Sequence, residues 1–342
     1  MNLSHWTAVL LISLNILLAA CTAAQPEQPI PPAPATPDQT EPTPLPATPT
    51  GVKDNIVIGA ILFQNDNFFE TVALGMEETA EAAGADILFR FHEHNVDLET
   101  QWIKEFTEQG VDAIVISPRV EDGSVNAIQK AYESGIKIVC FNGCFTEEAT
   151  DKYVSAVFET DQYDLGYQVG EYLAGWLAER EMDEPHVGIL SCCDRREAGF
   201  RQALTDNDVA WSEEVNIEGY LAEPATAVGE TILQNYPQVN ILWAENEGGA
   251  IGAVNAVRRQ NHAGELFVFG IDISPQLAQM LLAEDDILQA VGAQSPRLMG
   301  NLAVQAALNA VTTGQDAGYN HVPTAFYSRD DREAIETYLQ TQ

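Results

Sequence analysis

The feature that most constrains the fold is a repeated alternation of apolar runs and amphipathic segments after residue 52. The runs, rich in β-branched residues, cover 56–63, 85–91, 112–118 and 136–141, and a second set covers 186–192, 215–221, 239–245, 266–272 and 287–293. Buried runs separated by helices of about 15 residues are typical of βαβ units and a parallel sheet. Because the pattern restarts, we predict an α/β chain of two doubly wound parallel-sheet lobes joined by a three-segment hinge.

The lobe boundaries follow from the same pattern. We interpret YVSAVFETDQ, residues 153–162, as the crossing between the lobes, and we expect the helical segment 296–313 to return to the first lobe. The predicted first lobe is 53–160 plus 295–323, and the predicted second lobe is 161–294 plus 324–342.

The amino end has the features of a targeting segment. Residues 6–18 are mostly apolar, which at ~13 residues is too short to span a bilayer, and small residues before Cys21 indicate a signal peptide at 1–20. Leu-Ala-Ala-Cys resembles the bacterial lipobox, which implies that Cys21 is lipidated, although the first five residues carry no Lys or Arg. We therefore expect an exported protein, lipid-anchored at the outer face of the cytoplasmic membrane or in the periplasm.

Proline dominates the segment that follows. Residues 22–50 contain ten of the 17 prolines of the chain, a composition that forms an extended, semi-rigid spacer. We predict that 21–52 is a tether between the lipid anchor and the folded body.

The charge is strongly acidic. Sixteen Lys and Arg against 51 Asp and Glu give a formal net charge of -35. Such a surface repels nucleic acid and anionic lipid. We expect no nucleic-acid partner and a monomeric, soluble body.

Seven strand ends share one chemical theme. In open α/β sheets, ligands bind beyond the carboxyl ends of the strands. The candidate ligand-binding residues at these ends are carboxylates, amides, aromatics and one arginine: Asp66, Phe68, Phe69, Asn142, Asp194, Arg195, Tyr220, Asn246, Asp272 and Gln294. Carboxylates and amides bind hydroxyl groups, and an aromatic ring covers the C–H face of a sugar. One such residue alone is most often a helix N-cap, but the shared theme favours a small neutral polyhydroxylated ligand.

Five motifs carry a family resemblance. They are LFQNDNFF (62–69), VCFN (139–142), AENE (244–247), FGID (269–272) and AQSP (293–296). In order and spacing they resemble the sugar-binding class of periplasmic binding proteins, the group of the ribose and galactose/glucose receptors. The resemblance implies a type I two-lobe fold, a monosaccharide ligand, and an ABC transporter permease with its ATPase as partner. It also implies ligand contacts at Asp66, Phe68, Asn142, Asn246, Asp272 and Gln294.

Two positions depart from the family pattern. Gly143 stands where ribose-type relatives have an Arg, and Asp194 stands where a second ligand Arg is usual. Arg195 and Arg196 lie beside it, so either Asp194 or Arg195 is expected to reach the ligand.

The same sequence bears on three other functions, namely catalysis, sensing and metal binding. No G-x-S-x-G elbow, P-loop, H-E-x-x-H motif or dinucleotide fingerprint occurs, so we expect neither an enzyme nor a cofactor. The alternatives are a sensory receptor that feeds a kinase or chemoreceptor, and a binder of a sugar-like signalling molecule. His92 and His94 have the spacing of metal ligands, but with no Cys or third His nearby we interpret them as a solvated strand end and expect no metal.

The cysteines after Cys21 all fall at strand ends. They are Cys140, Cys144, Cys192 and Cys193, and export permits disulfides. The adjacent pair Cys192 and Cys193 is a candidate vicinal disulfide, and the alternative is four small buried thiols.

Overall fold

The computed structural model describes residues 55–340, which belong to one compact unit. The predicted signal peptide, Cys21 and the tether 21–52 lie outside the described residues. Within the described part, no helix has the length and apolar character needed to cross a membrane.

The first sheet has six parallel strands in the order β11-β5-β4-β3-β1-β2. Their bounds are β1 Val57–Leu62, β2 Asp86–Phe91, β3 Ala113–Ile116, β4 Lys137–Phe141, β5 Ala156–Glu159 and β11 Gly318–His321. One face is covered by α1 (Asn67–Ala83) and α10 (Pro296–Thr313), and the other by α2 (Val96–Gln109), α3 (Val125–Glu133) and α4 (Glu147–Tyr153). Because both faces are buried, the central strands are apolar throughout. This sheet and its helices form the first lobe.

The second sheet repeats the arrangement in the order β12-β10-β9-β8-β6-β7. Its strands are β6 His186–Ser191, β7 Ser212–Glu218, β8 Ile241–Ala244, β9 Phe267–Ile271, β10 Leu288–Ala293 and β12 Ala325–Ser328. The helices α5 (Gln162–Glu179) and α6 (Asp194–Asp206) cover one face. The other is covered by α7 (Ala222–Asn235), α8 (Glu247–Gln260), α9 (Pro275–Leu282) and α11 (Arg332–Gln340). This sheet and its helices form the second lobe.

The predicted two-sheet α/β architecture is confirmed, with two differences in detail. All nine predicted apolar runs contain a strand. Residues 153–162, however, are more than a crossing, because Ala156–Glu159 forms β5 within the first sheet and its apolar residues are buried. The other difference is that β12 pairs antiparallel with β10 at the edge of the second sheet.

The chain passes between the sheets three times. It leaves β5 for α5, returns from β10 to α10, and leaves β11 for β12. The helix α10 packs on α1, β4 and β5, which places it in the first lobe. The three crossings contact one another, because Ser295 Oγ donates to Pro323 O at 2.8 Å and Gln162 Nε2 donates to Gln294 Oε1 at 3.4 Å.

Candidate ligand-binding cleft

The carboxyl ends of the two sheets face each other. Asn67, at the start of α1, donates from Nδ2 to both carboxylate oxygens of Glu247 at the start of α8, each at 3.1 Å. The ring of His94, beyond β2, lies 5.6 Å from that of Tyr220, beyond β7. These contacts join the first lobe to the second. The space between the facing strand ends is the cleft.

The two phenylalanines at the start of α1 differ in burial. Phe69 is 5 % exposed and stacks on Phe63 at 5.8 Å, so it belongs to the core of the first lobe. Phe68 meets Phe69 edge-on at 5.1 Å and is only half-buried. Of the two aromatic contacts predicted after β1, Phe68 is the more accessible, and its contact with a ligand stays a prediction.

Asp66 combines a helix cap with a place in the cleft. Its Oδ1 accepts a hydrogen bond of 3.0 Å from Phe69 N, which makes it the N-cap of α1, and its Oδ2 accepts from Gln64 Nε2. Burial raises the pKa of the Asp66 carboxyl above its ordinary value, and the carboxylate of Asp272 adds to the rise. The negative charges of Asp66 and Asp272 therefore repel each other, although the two residues come from different sheets.

Two strand-end residues adopt the left-handed backbone region. Asn142 follows β4 with φ 57°, and Asp272 follows β9 with φ 74°. Among residues with a Cβ, Asn and Asp tolerate this conformation best, and it is enriched at functional sites. Both positions turn the chain at the carboxyl end of a buried strand, and contact of either side chain with a ligand stays a prediction.

Asp272 organises the second-lobe side of the cleft. It is 6 % exposed, and its Oδ1 accepts from Gln294 Nε2 at 2.9 Å while its Oδ2 accepts from Glu247 N at 3.1 Å. The Arg196 guanidinium lies 4.0 Å from Oδ2. The predicted contacts Asp272 and Gln294 are thus brought together as one hydrogen-bonded pair.

The arginine that joins this group is Arg196, which sequence reasoning left out of the site. Arg196 is 5 % exposed, donates from Nε to Gln162 Oε1 at 2.7 Å, and donates from Nη1 to the backbone oxygen of Glu245. Asp194 and Arg195, which were predicted instead, are exposed on the first turn of α6. Burial lowers the pKa of Arg196, and the charges of Asp272 and Glu245 oppose that effect.

Two glycines allow α5 and α6 to pack closely, and this packing fixes which side of α6 faces the interior. A Cβ on Gly166 of α5 would come within 1.9 Å of Arg196 O, and a Cβ on Gly199 of α6 would come within 2.0 Å of Tyr163 O. The two helices can approach this closely only where both lack a side chain. That contact turns Arg196 and Glu197 inward and leaves Asp194 and Arg195 exposed.

Asn246 has local partners for both ends of its amide. Its Oδ1 accepts from Gly249 N at 2.9 Å as the N-cap of α8, and its Nδ2 donates to Tyr220 O at 2.8 Å. This geometry holds the turn that carries Tyr220 against α8. A direct contact of Asn246 with the ligand stays a prediction, whereas its neighbour Glu247 faces the first lobe and was not predicted.

Glu245, directly after β8, has a carboxyl group whose pKa lies well above its ordinary value. Glu245 is fully buried, and its Oε2 accepts from Cys192 N at 2.7 Å and Cys193 N at 2.6 Å. Burial raises the pKa of Glu245 to about 7, and the neighbouring Glu197 carboxyl adds to the rise.

The four cysteines are paired in two disulfides. Cys192 is bonded to Cys193, which confirms the hypothesis of a vicinal bridge, and Cys140 is bonded to Cys144, which was not predicted. The alternative of four free thiols is therefore wrong. The second bridge closes a small loop around Asn142, so both lobes have a disulfide beside the cleft.

The histidines after β2 do not form a solvated strand end. His92 is fully buried with its Nε2 3.1 Å from Ser117 O, and burial lowers its pKa to about 4. His94 contacts Gln64 through Nε2 and accepts at its backbone oxygen from Arg119 Nε at 3.2 Å. The interpretation was wrong because the chain turns inward after β2. Arg119 follows β3, the one central strand end of the first lobe that sequence reasoning did not use.

A cavity of about 390 Å³ opens between the lobes at one side of these residues. Asp66 and Asn67 line it from the first lobe, and Tyr220, Glu247 and Ser274 from the second. Carboxylate, amide and hydroxyl groups from both sheets thus surround a space that a small ligand can enter.

Two facing parallel sheets with polar strand ends around a shared cleft define a two-lobed receptor for small solutes. A family model described as "Periplasmic binding protein domain" matches residues 58–316, and the chain belongs to this family. Membership places the folded body outside the cytoplasm.

Similar proteins agree with this assignment. The ABC transporter periplasmic-binding protein YphF of Escherichia coli is 28% identical over 294 residues, covering 83% of this chain and 90% of that protein. The ribose import binding protein RbsB of Bacillus subtilis is 24% identical over 263 residues, covering 75% and 82%. A solute-binding protein of Actinobacillus succinogenes, solved with bound D-allose, has a TM-score of 0.74 at 21% identity, covering 82% and 99%. The descriptions of all three name binding proteins.

Proposed function

We propose that this chain captures a small neutral monosaccharide in the cleft and delivers it to the permease of an ABC importer. The observation that supports this most is the cavity of about 390 Å³ that Asp66 and Asn67 line from the first lobe and Tyr220, Glu247 and Ser274 line from the second. A ligand bonded to both lobes would hold them together, which is how a two-lobed receptor signals occupancy to its partner.

The charges of the cleft favour a neutral ligand. Asp66 of the first lobe and Glu247 and Asp272 of the second bring negative charge to the cleft, while Arg119 of the first lobe and Arg196 of the second bring positive charge. No single sign of charge dominates, so an ionised ligand would meet repulsion wherever it found attraction. Hydroxyl groups, which both donate and accept, match such a mixed set.

The relatives suggest which sugars to test first. One is named for ribose import and one was solved with D-allose, so aldopentoses and aldohexoses with several free hydroxyls are the leading candidates. The direct experiment is mass spectrometry of ligand released from the purified protein, followed by calorimetric titration with ribose, allose and their epimers. Saturable 1:1 binding of one sugar is expected. Failure of every sugar to bind, together with binding of an ionised metabolite, would refute the proposal.

The anchor is part of the proposed function. A lipid on Cys21 and a proline-rich tether at 21–52 would hold a monomeric body near the membrane while leaving its lobes free to meet the permease. Lobe rotation about the three crossings is expected on binding. X-ray scattering with and without saturating sugar tests it, and an unchanged radius of gyration would contradict closure.

A further inference from the structure

The disulfide Cys192–Cys193 lies at the end of β6 and is hydrogen-bonded to Glu245. Both cysteine N–H groups donate to Glu245 Oε2, and Cys192 Sγ lies 3.7 Å from the backbone oxygen of Glu245. That same oxygen accepts from Arg196 Nη1. The disulfide, Glu245 and Arg196 therefore form one continuous chain of contacts that ends at Asp272.

We propose that Cys192–Cys193 is a reversible modification site for a dithiol reductant, and that its reduction weakens ligand capture. The effect on capture rests on the proposed function, whereas the modification does not.

Access distinguishes this disulfide from the other one. Cys192 is exposed and Cys193 half-buried, whereas Cys140 is 0% exposed within β4 and Cys144 is half-buried, so the vicinal pair alone contains an exposed cysteine. The two cysteines are consecutive, with Cα atoms 3.8 Å apart as across any trans peptide bond, so the disulfide closes a ring through that peptide bond. A mild dithiol should therefore reduce Cys192–Cys193 first.

The chemistry is ordinary thiol–disulfide exchange. One thiolate of the reductant attacks the exposed Cys192 Sγ, the S–S bond breaks, and the electron pair leaves on Cys193 Sγ. Cys193 is the N-cap of α6, where the positive end of the helix stabilises a thiolate and makes it a good leaving group. The second thiolate of the reductant then closes its own disulfide and releases Cys192. Two electrons pass to the protein, and the two protons of the reductant end on the two cysteines.

Reduction opens an eight-membered ring that contains the peptide bond between the two cysteines. While the ring is closed, it holds the Cys193 N–H, which belongs to the ring, towards Glu245 Oε2 and limits rotation at the adjoining Cys192. Once it opens, that restriction is lost and Glu245, with the arginine bonded to its backbone oxygen, is less firmly held. Loss of one well-placed charged contact corresponds to an affinity about tenfold or more lower.

The first test needs no ligand. The oxidised protein is treated with limiting dithiothreitol, alkylated, digested and mapped by mass spectrometry, and amide hydrogen exchange is measured on the same samples. We expect alkylation at Cys192 and Cys193 before Cys140 and Cys144, together with faster exchange at residues 192–196. Earlier labelling of Cys140 and Cys144, or unchanged exchange after full reduction of the vicinal pair, would overturn the proposal.

The second test measures sugar affinity in both redox states. Wild-type affinity should fall about tenfold on reduction and recover on reoxidation, while Cys192→Ser/Cys193→Ser should be weak in both states. The matched variant Cys140→Ser/Cys144→Ser should keep the ratio between the two states. Equal affinities for oxidised and reduced wild type would refute the link to capture. If no sugar binds the oxidised protein, the proposed function fails, and the exchange experiment still decides whether the site is redox-active.

Discussion

Replacing Asp272 by alanine should destabilise the unliganded protein strongly, as well as weaken ligand binding. Asp272 is 6 % exposed and accepts hydrogen bonds from Gln294 and from Glu247 N, with Arg196 at 4.0 Å. Removing one partner of a buried charge pair costs about 3–5 kcal/mol, and placing alanine in the left-handed region costs a further ~1 kcal/mol. Since such terms are not additive, we expect a loss of about 4 kcal/mol.

Two variants isolate the cause. Asp272→Asn keeps one carbonyl acceptor and tolerates the left-handed backbone, so it should lose only about 2 kcal/mol, the worth of a charged hydrogen bond. Asp66→Ala removes a half-buried carboxylate whose described structural role is the N-cap of α1, so it should lose about 1 kcal/mol. Both Asp66→Ala and Asp272→Ala should weaken sugar binding by roughly tenfold or more.

The assay is urea unfolding of the unliganded variants, with stability taken from the midpoint and slope, beside calorimetry with the identified sugar. A loss below about 1 kcal/mol for Asp272→Ala, or one no larger than that of Asp66→Ala, would refute the assigned role of Asp272 as the counter-charge of Arg196.

Three further predictions follow from other parts of the molecule. The pKa of Glu245 is raised from 4.5 to about 7, so the stability gained from its proton is fully present below pH 4.5 and lost as the pH rises to about 7. Glu245→Gln should remove this loss, about 3 kcal/mol, from denaturation curves measured between pH 4.5 and 8; an unchanged pH slope would contradict the shift. Phe68→Ala should weaken sugar binding by a few kcal/mol in calorimetry while leaving the melting temperature of the unliganded protein nearly unchanged, because Phe68 is half-buried; an equal fall in both would place Phe68 in the core. Cys21→Ser should release the protein from the membrane fraction, and continued sedimentation with membranes would rule out the lipid anchor.

Much of the fold could be predicted from local sequence. A strand buried on both faces must be apolar over its whole length, so nine of the strands stand out as β-branched runs with helices between them. The polar residues of the cleft are visible for the same reason, since they begin where the apolar run ends. Strands at a sheet edge escape this logic, because β11 and β12 are mostly exposed or half-buried and so lack an apolar run. The neighbouring β5 is apolar but was interpreted as the crossing between the lobes.

The identity of the residues that face the cleft depended on packing between distant parts of the chain. Arg196 shares the buried face of α6 with Phe200 and Leu204, and the close glycine contact between α5 and α6 buries that face completely. His92 is buried because its ring packs against that of Phe63, with the two ring centres 4.9 Å apart.

Local sequence specifies the two-sheet α/β plan and the set of polar strand ends, because strand burial and the alternation of strand with helix are local properties. Which of those side chains share a hydrogen bond depends on long-range packing. This packing brings Asp272 to Gln294 and to Arg196, and it places Glu245 beneath the vicinal disulfide. Each of these contacts joins residues separated by at least 20 positions, and their distance is set by how helices and sheets pack, which no local pattern records.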